Sequence, residues 1–489
     1  MDGLQVLETI RKINPWFKTN EVPSAQLEDF KRREYVGLLE DIEKTEMATM
    51  VIGGRRVGKS VMMYQLIDHL LKKGVPSKRV LFVQGDNPIL TELVKSGNML
   101  NTIFKIYQDN ILEQTFNEAE QLIYIFIDEA QNIPNWELEV KALIDLKYKL
   151  KFFITGSSSR ELRQGAQNPL TGRVIIRTIT PFSFADFSRY NINSVQQEKY
   201  KSDLSQHSEK FRKALSEGNI NDALVASQNV QGLISQFNLK KRFDDYLAIG
   251  GFPWVISHRN KDDLQKYLRD LLTTTISKDI MTQVEIRDTQ AFERLMVNLS
   301  LASGHPIKYK NLADILGLDE RSVTRYVDYY VDSHWAFVSS QYVFHRRADN
   351  IKSEKKIYVI DSGVMNTLSF KDENDINSDR QYRGQVVENV IHNHLLGFKQ
   401  AAIGAFQNYI PFWINDSGKE IDFILEIKGA VVPIEVKCKP SIDDEDRQPI
   451  QQFMKEHTSA KFGIITTEAI LEQQGSILLI PYSVLALLL

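Results

Sequence analysis

The stretch Gly53-Gly54-Arg55-Arg56-Val57-Gly58-Lys59-Ser60 decides how this chain is interpreted. It follows the apolar run 47–52 and leads into segment 61–67, whose apolar residues have helical spacing. A strand, a glycine-rich loop, a Lys-Ser pair and a helix in this order form the phosphate-binding P-loop. The flanking strand and helix are the context that distinguishes the motif from a chance match in a long chain.

The P-loop gives each residue type a role. Glycines let backbone N–H groups turn inward around phosphates, and the N-terminus of the following helix adds a positive dipole. Lys59 is predicted to reach the β- and γ-phosphates of ATP, and the Ser60 hydroxyl to ligate Mg²⁺. The predicted nucleotide-binding residues are Gly53, Gly54, Arg55, Arg56, Val57, Gly58, Lys59, Ser60 and Val61.

A second buried strand is predicted at residues 122–127, which form a continuous apolar run ending in Asp128-Glu129. Asp128 at the tip of such a strand is predicted to hold the magnesium through water. Glu129 is placed to polarise the attacking water. Acidic residues also end strands without any such role, but this pair lies downstream of an intact P-loop.

Two further catalytic residues are predicted, each beside an open alternative. Ser157 follows the apolar strand 151–155 and would sense the γ-phosphate, unless residues 156–159 are a plain Gly- and Ser-rich turn. Arg173 precedes the apolar run 174–176 and would act as an arginine finger on a neighbouring subunit's nucleotide. The alternative for Arg173 is an exposed local salt bridge.

Length and composition set wider bounds. The 489 residues exceed one hydrophobic core, so three or four domains are expected. The formal net charge of −3 gives no global basic field, so nucleic-acid binding would need a local patch. Cys438 as the single cysteine excludes an internal disulfide. No secretory signal or membrane-spanning run is visible, so a cytoplasmic protein is expected, with residues 480–489 as a final strand and buried helix.

The chain divides into four predicted domains. Alternating strands and helices predict an α/β, doubly wound P-loop core over residues 1–190. The polar, helix-prone residues 191–288 predict a helical lid or insertion. Residues 289–354 predict a winged helix-turn-helix, and residues 355–489 a second α/β domain with a restriction-endonuclease-like fold.

Two short helices joined through Gly317-Leu318 predict the helix-turn-helix. Its second helix would present Arg321 and Arg325 to DNA, and the wing would add Arg346 and Arg347. Winged helices also serve as protein-contact and structural modules, and that alternative stays open.

In the C-terminal block, segments 420–426 and 431–437 alternate like two strands of a hairpin, with Lys428-Gly429 at the turn. Alternation puts Glu435 and Lys437 on one face, and Asp422 on the same face of the neighbouring strand. Two carboxylates and a lysine on a sheet face are typical of metal-dependent nucleases. Asp422, Glu435 and Glu388 are the predicted metal ligands, and Lys437 would orient the water. A set of solvated charges on a hairpin is the alternative.

The chain resembles the prokaryotic AAA-type ATPases that carry a C-terminal nuclease-like domain of unknown function. The resemblance implies an AAA-type ATPase core, a winged helix, and a fold similar to the PD-(D/E)XK nucleases. Segment 196–240 is longer than this family leads one to expect. The residues that carry the resemblance are 53–60, 126–131 with Pro134 and Trp136, 155–159, 170–173 leading to 181–184, 246–253, 387–389 and 435–437.

These patterns together predict an Mg²⁺-dependent ATPase that acts on or near DNA, with further copies of the chain as partners if Arg173 acts in trans. The first alternative is a signalling or defence switch that binds protein partners and keeps an inert nuclease-like domain. The second is a structural scaffold. Cleavage of nucleic acid by the C-terminal block is a separate hypothesis, because a fold can be kept after its chemistry lapses.

Overall fold

A computed structural model describes residues 3–94, 99–156, 169–190, 192, 194–258, 261–281, 284, 286–342, 354–403, 409–415 and 417–489. Ser157, Arg346 and Arg347 therefore lie outside the described residues. The chain forms two compact units, Met1–Ile179 and Thr180–Leu489. The four predicted domain boundaries stay a prediction.

The first unit is built on a parallel sheet, as predicted. Its strands follow the order β2-β3-β4-β1-β5, so β4 separates the strand before the P-loop from the strand that ends in Asp128. The strands are β1 (Ala48–Ile52), β2 (Val80–Gln84), β3 (Ile123–Asp128), β4 (Leu150–Gly156) and β5 (Val174–Thr178). The α-helices are Gly3–Ile13, Trp16–Thr19, Glu34–Lys44, Lys59–Lys72, Thr91–Val94, Met99–Tyr107 and Trp136–Asp145.

Continuous apolar runs explain why β1, β3 and β4 lie inside this sheet. Both faces of each strand are covered, and Phe126 of β3 stacks on Phe153 of β4 with ring centroids 5.3 Å apart. Ile52 at the end of β1 pairs with Gly156, and Ile127 of β3 pairs with Ile154. The carboxyl ends of β1, β3 and β4 therefore meet at one sheet edge, where the P-loop begins.

The second unit is richer in helices. They are Phe184–Tyr190, Ser194–Glu217, Ile220–Gln236, Leu239–Ile249, Pro253–Ser257, Lys261–Thr275, Thr289–Leu301, Tyr309–Leu316, Glu320–Asp332, Ser362–Leu368, Glu373–Ser378, Arg380–Ile403, Asp444–Glu456 and Tyr482–Leu488. Its strands are β6 (Pro306–Ile307), β7 (Ala336–Ser340), β8 (Lys355–Val359), β9 (Trp413–Ile414), β10 (Glu420–Ile421), β11 (Phe423–Ile427), β12 (Ala430–Glu435), β13 (Gly463–Thr467), β14 (Glu472–Gln474) and β15 (Ile477–Pro481).

The strands β6, β8 and β7 form an antiparallel sheet in that order. Along the chain, helix Thr289–Leu301 is followed by β6, two helices, β7 and β8. Asp319 caps helix Glu320–Asp332 by accepting from the Ser322 N–H, and Gly317 ends the preceding helix with a φ of 69°. These caps fix the short turn between the two helices that the sequence predicts.

The C-terminal sheet has the order β11-β12-β13-β15-β14, with β11 and β12 as the predicted antiparallel hairpin. The predicted strand 420–426 is wrong in one respect, because it breaks at Asp422 into β10 and β11. The Asp422 carboxylate accepts from the Val436 N–H at 2.9 Å, and its own N–H donates to Glu435, so side-chain bonds replace ladder bonds there. The final strand and buried helix are β15 and Tyr482–Leu488.

A buried carboxylate fixes the turn at Gly250-Gly251. The Asp361 side chain accepts from the N–H groups of Gly251 at 2.7 Å and Gly363 at 2.9 Å. Burial raises the pKa of Asp361 to about 6, against the effect of these backbone bonds. Gly250 has a φ of 76°, and a Cβ on it would lie 1.9 Å from Asp361 Oδ1. Only glycine fits this position.

Gly250→Ala is expected to destabilise the protein by about 3 kcal/mol or more, because both the backbone conformation and Asp361 would have to move. The matched control is Gly232→Ala, in the interior of helix Ile220–Gln236, where an added Cβ meets nothing within 4 Å. That control should stabilise the helix by about 0.5–1 kcal/mol. Thermal unfolding of both full-length variants measures the difference. Equal midpoints would contradict the role assigned to this turn.

Candidate functional site

The P-loop lies between the end of β1 and the helix Lys59–Lys72. Gly53 has a φ of 155°, and a Cβ there would lie 2.1 Å from the carbonyl oxygen of Ile179. Gly58 has a φ of 101° directly before the helix begins. Glycine is therefore required at both ends of the loop for different reasons, close backbone approach at the first and a left-handed conformation at the second.

Lys59 is buried in the loop that it is predicted to serve. Its Nζ donates to the carbonyl oxygens of Gly53 and Gly54, both at 2.9 Å. A buried ammonium needs such partners, because an uncompensated charge in the interior is costly. These bonds hold a positive charge at the mouth of a helix N-terminus, where an anion is favoured.

Asp128 connects the P-loop with the neighbouring strands. The Ser60 hydroxyl donates to Asp128 Oδ2 at 2.7 Å, and the Thr155 hydroxyl donates to Oδ1. Burial raises the pKa of Asp128, while the two hydroxyl bonds act in the opposite direction. Ser60 and Asp128 thus bring together two side-chain oxygens, and oxygen is the atom type that Mg²⁺ prefers as a ligand.

Glu129 follows in a left-handed conformation, with a φ of 51°. Its N–H donates to the Thr155 hydroxyl at 3.0 Å, and its carboxylate accepts from Gln131 Nε2 at 2.5 Å. Gly85, at the end of β2, permits this turn because a Cβ on it would lie 2.5 Å from the Glu129 carbonyl oxygen. The backbone of this turn is therefore tied to β4, and the Glu129 carboxylate is tied to Gln131.

The structure adds residues that the sequence analysis missed. Thr155 is the hydroxyl that β4 brings against Asp128, and only the strand register reveals it. The predicted role of Ser157 stays a prediction. Arg32 is buried, donates to the Val57 carbonyl at 2.8 Å, and pairs with Glu34 at 2.9 Å. It supports the P-loop from the outside. An Arg near the strand before a P-loop carries no pattern that would single it out.

Arg173 does not lie with this group. It precedes β5, at the sheet edge opposite the P-loop, and its carbonyl accepts from the Ala48 N–H at the start of β1. Its guanidinium pairs with Asp145 at 2.7 Å, which lowers the pKa of that carboxyl. This is the local salt bridge considered as the alternative. Arg55 is half-buried and Arg56 is exposed with a φ of 61°.

The C-terminal block does bring its predicted residues together. Asp422 and Glu435 are bonded through the Asp422 N–H at 3.2 Å, and Lys437 Nζ donates to Glu435 at 2.5 Å. Glu388 comes from helix Arg380–Ile403 and accepts from the Tyr358 hydroxyl at 2.8 Å. Burial and the Asp422 carboxylate raise the pKa of Glu388 to about 7 and that of Glu435 to about 8.

One residue of this cluster was not predicted. Lys356 of β8 is almost fully buried, and its Nζ lies 3.2 Å from Glu388, 3.1 Å from Asp422 and in contact with Glu420. Burial opposes its charge, but the carboxylates raise its pKa well above the ordinary value. Among the described residues, no group of three or more His, Cys, Asp or Glu side chains is arranged to hold a metal ion.

The described part of the predicted DNA-contact surface is small. Arg321 and Arg325 are both exposed and lie one turn apart on helix Glu320–Asp332. Their acidic neighbours Asp319 and Glu320, at the start of the same helix, are exposed as well. None of the described helices combines the length and apolar composition that crossing a membrane requires.

Three segments of the chain match known protein families. Residues 45–188 match the AAA domain family. Residues 240–375 and 383–485 match two families described as domains of unknown function, DUF8612 and DUF4143. The matched AAA segment contains the P-loop, Asp128 and Glu129, so this part of the chain is similar to AAA-type P-loop domains.

Two relatives and one solved structure extend the comparison. An uncharacterized protein of Methanocaldococcus jannaschii is 22% identical over 381 residues, which are 77% of this chain and 71% of that protein. An uncharacterized protein of Haemophilus influenzae is 21% identical over 339 residues, 68% of this chain and 72% of that protein. The match to the crystal structure of Cdc6p from Pyrobaculum aerophilum covers 77% of this chain and 97% of the Cdc6p chain, at 12% identity and a TM-score of 0.25.

Thr155→Val is expected to destabilise the first unit by about 1–3 kcal/mol, because Asp128 and the Glu129 N–H both lose a buried hydrogen-bond partner. Thr49→Val is the matched control. Thr49 is equally buried on the adjacent strand β1, but among the described residues its hydroxyl has no hydrogen-bond partner. That variant should be neutral or stabilising by up to about 1 kcal/mol. Denaturant unfolding compares the two, and similar losses would contradict the role given to Thr155.

Proposed function

We propose that this chain binds ATP with Mg²⁺ at the P-loop and hydrolyses it. The observation that supports the proposal best is the meeting of Lys59, the Ser60–Asp128 pair and Glu129 at one sheet edge. The AAA family match of residues 45–188 supports it independently. Phosphoryl transfer requires three parts of this kind: a cationic side chain that contacts the phosphates, a metal site, and a group that positions the attacking water.

Each residue contributes a separate part of the chemistry. The loop N–H groups and Lys59 hold the phosphates, and Ser60 and Asp128 would hold the magnesium, which neutralises charge on the β- and γ-phosphate oxygens. Glu129 orients the attacking water and accepts its proton. Thr155 keeps Asp128 and the Glu129 backbone in place, because its hydroxyl bonds to both.

Arg173 remains a proposal for action in trans. Its position at the opposite sheet edge excludes it from the nucleotide of its own chain. It would reach a phosphate only on a neighbouring copy, and would first have to leave Asp145.

Lys59→Ala is expected to weaken ATP binding at least tenfold and to abolish turnover, because the positive charge that contacts the phosphates is lost. Glu129→Gln should keep ATP affinity within about threefold, yet slow hydrolysis by about 10²–10⁴, because only the base is removed. Lys72→Ala, an exposed lysine at the other end of the same helix, is the control and should behave like the parent. Equilibrium binding and phosphate release are the measurements. Parent-like turnover by Glu129→Gln would exclude this mechanism.

The region 289–359 supports a second candidate function, DNA binding by a winged helix. The order helix, strand, helix, helix, strand, strand and the sheet order β6-β8-β7 support the proposal of such a module. Exposed Arg321 and Arg325 on its second short helix suit phosphate oxygens or base edges.

Arg321→Ala/Arg325→Ala is expected to weaken duplex DNA binding and to reduce the salt slope by about 2, because two phosphate contacts disappear. The double variant Arg287→Ala/Arg294→Ala removes the same charge from two exposed positions, one just before helix Thr289–Leu301 and one on it, and should keep the parent slope. Fluorescence anisotropy at several salt concentrations measures both. If the parent fails to bind DNA at low salt, DNA binding is excluded and the module is a structural or protein-contact module.

A further inference from the structure

The carboxylate cluster of the second unit already contains a cation. Lys356 Nζ contacts Glu388, Glu420 and Asp422, and its side chain is only 1% exposed. An ammonium has three N–H donors, and here it meets three separate carboxylates. The donors of Lys356 are therefore matched one to one by acids that come from helix Arg380–Ile403, from β10 and from the break after β10.

This occupant conflicts with the predicted metal site. A divalent ion held by Glu388 and Asp422 would have to lie where both carboxylates converge, and that position is taken by the ammonium. If Mg²⁺ pushed the Lys356 ammonium aside by a short distance, the two cations would face each other in a poorly screened interior. The residues at this point are therefore arranged around an ammonium rather than around an open position for Mg²⁺.

The strand that carries Lys356 has a second bond to the cluster. Tyr358 lies two residues further on β8, on the same face, and its hydroxyl donates to Glu388 at 2.8 Å. The opposite face behaves differently, since Lys355 lies over the ring of Tyr309 with its Nζ 4.9 Å from the centroid. One face of β8 therefore joins the three-stranded sheet to helix Arg380–Ile403 and to Asp422.

We propose that Lys356 replaces the divalent cation of the C-terminal carboxylate cluster. The cluster is then an ion-pair site, centred on the Lys356 ammonium, that fastens β8 to the C-terminal sheet, and in the wild-type chain it binds no Mg²⁺ or Mn²⁺ and supports no metal-dependent cleavage. The inference is independent of the ATP proposal, because no residue of the P-loop takes part.

Mn²⁺ titration followed by electron paramagnetic resonance tests this in the full-length chain without nucleotide. Asp128→Asn is present throughout, so that the candidate ATP site lacks its carboxylate metal ligand. This parent should bind no Mn²⁺ at millimolar concentration. Lys356→Met should gain one Mn²⁺ per chain, at least tenfold tighter than the parent, and adding Asp422→Asn should abolish that gain. Lys355→Met, on the opposite face of the same strand, should stay metal-free.

Two outcomes would overturn the proposal. The first is Mn²⁺ binding by the parent that Asp422→Asn removes, because the lysine would then not exclude the metal. The second is a folded Lys356→Met protein that binds none. The parent titration decides the question by itself if Lys356→Met fails to fold.

Discussion

The first unit depends on one buried carboxylate. Asp128 lies at the tip of a strand that is apolar over its whole length, and burial disfavours its charge unless donors surround it. Ser60 donates from the start of a helix and Thr155 from a neighbouring strand. In the sheet, β4 lies between β1 and β3. The same group of hydrogen bonds therefore connects the P-loop helix, β3, β4 and the backbone of Glu129.

In the second unit, too, buried charged groups are surrounded by hydrogen-bond partners, but the partners are of other kinds. Asp361 is surrounded by backbone N–H groups, which close a glycine turn around it. Lys356 is surrounded by acids, which close the space between two sheets. In both places a buried charge allows only the conformation that supplies its partners. Removing one partner of such a group is costlier than the net contribution of the group to stability, because a charge is left uncompensated.

The sequence predicted those features that a local pattern carries. The P-loop, the strand ending in Asp128 and the hairpin of β11 and β12 follow from glycines, apolar runs and alternation, and the structure contains all of them. Thr155 was missed because its role comes from the pairing of distant strands. Lys356 was missed for a related reason: it lies some 30 residues from Glu388 and 66 from Asp422, and only the packed sheets bring it to them. The break at Asp422 was hidden because side-chain bonds interrupt a strand without changing its alternation.

The one-to-one match between Lys356 and its three acids also restricts how this chain can change over evolutionary time. A neutral residue at position 356 would leave three carboxylates without their cationic partner. A neutral residue at position 388 or 422 would leave one N–H of the Lys356 ammonium without its carboxylate acceptor. Substitutions at these sites are then tolerated in pairs rather than singly. In related chains, a lost lysine should therefore accompany either a lost acid or a newly acquired metal, and the identity of this one residue would divide such proteins into metal-free and metal-binding lineages.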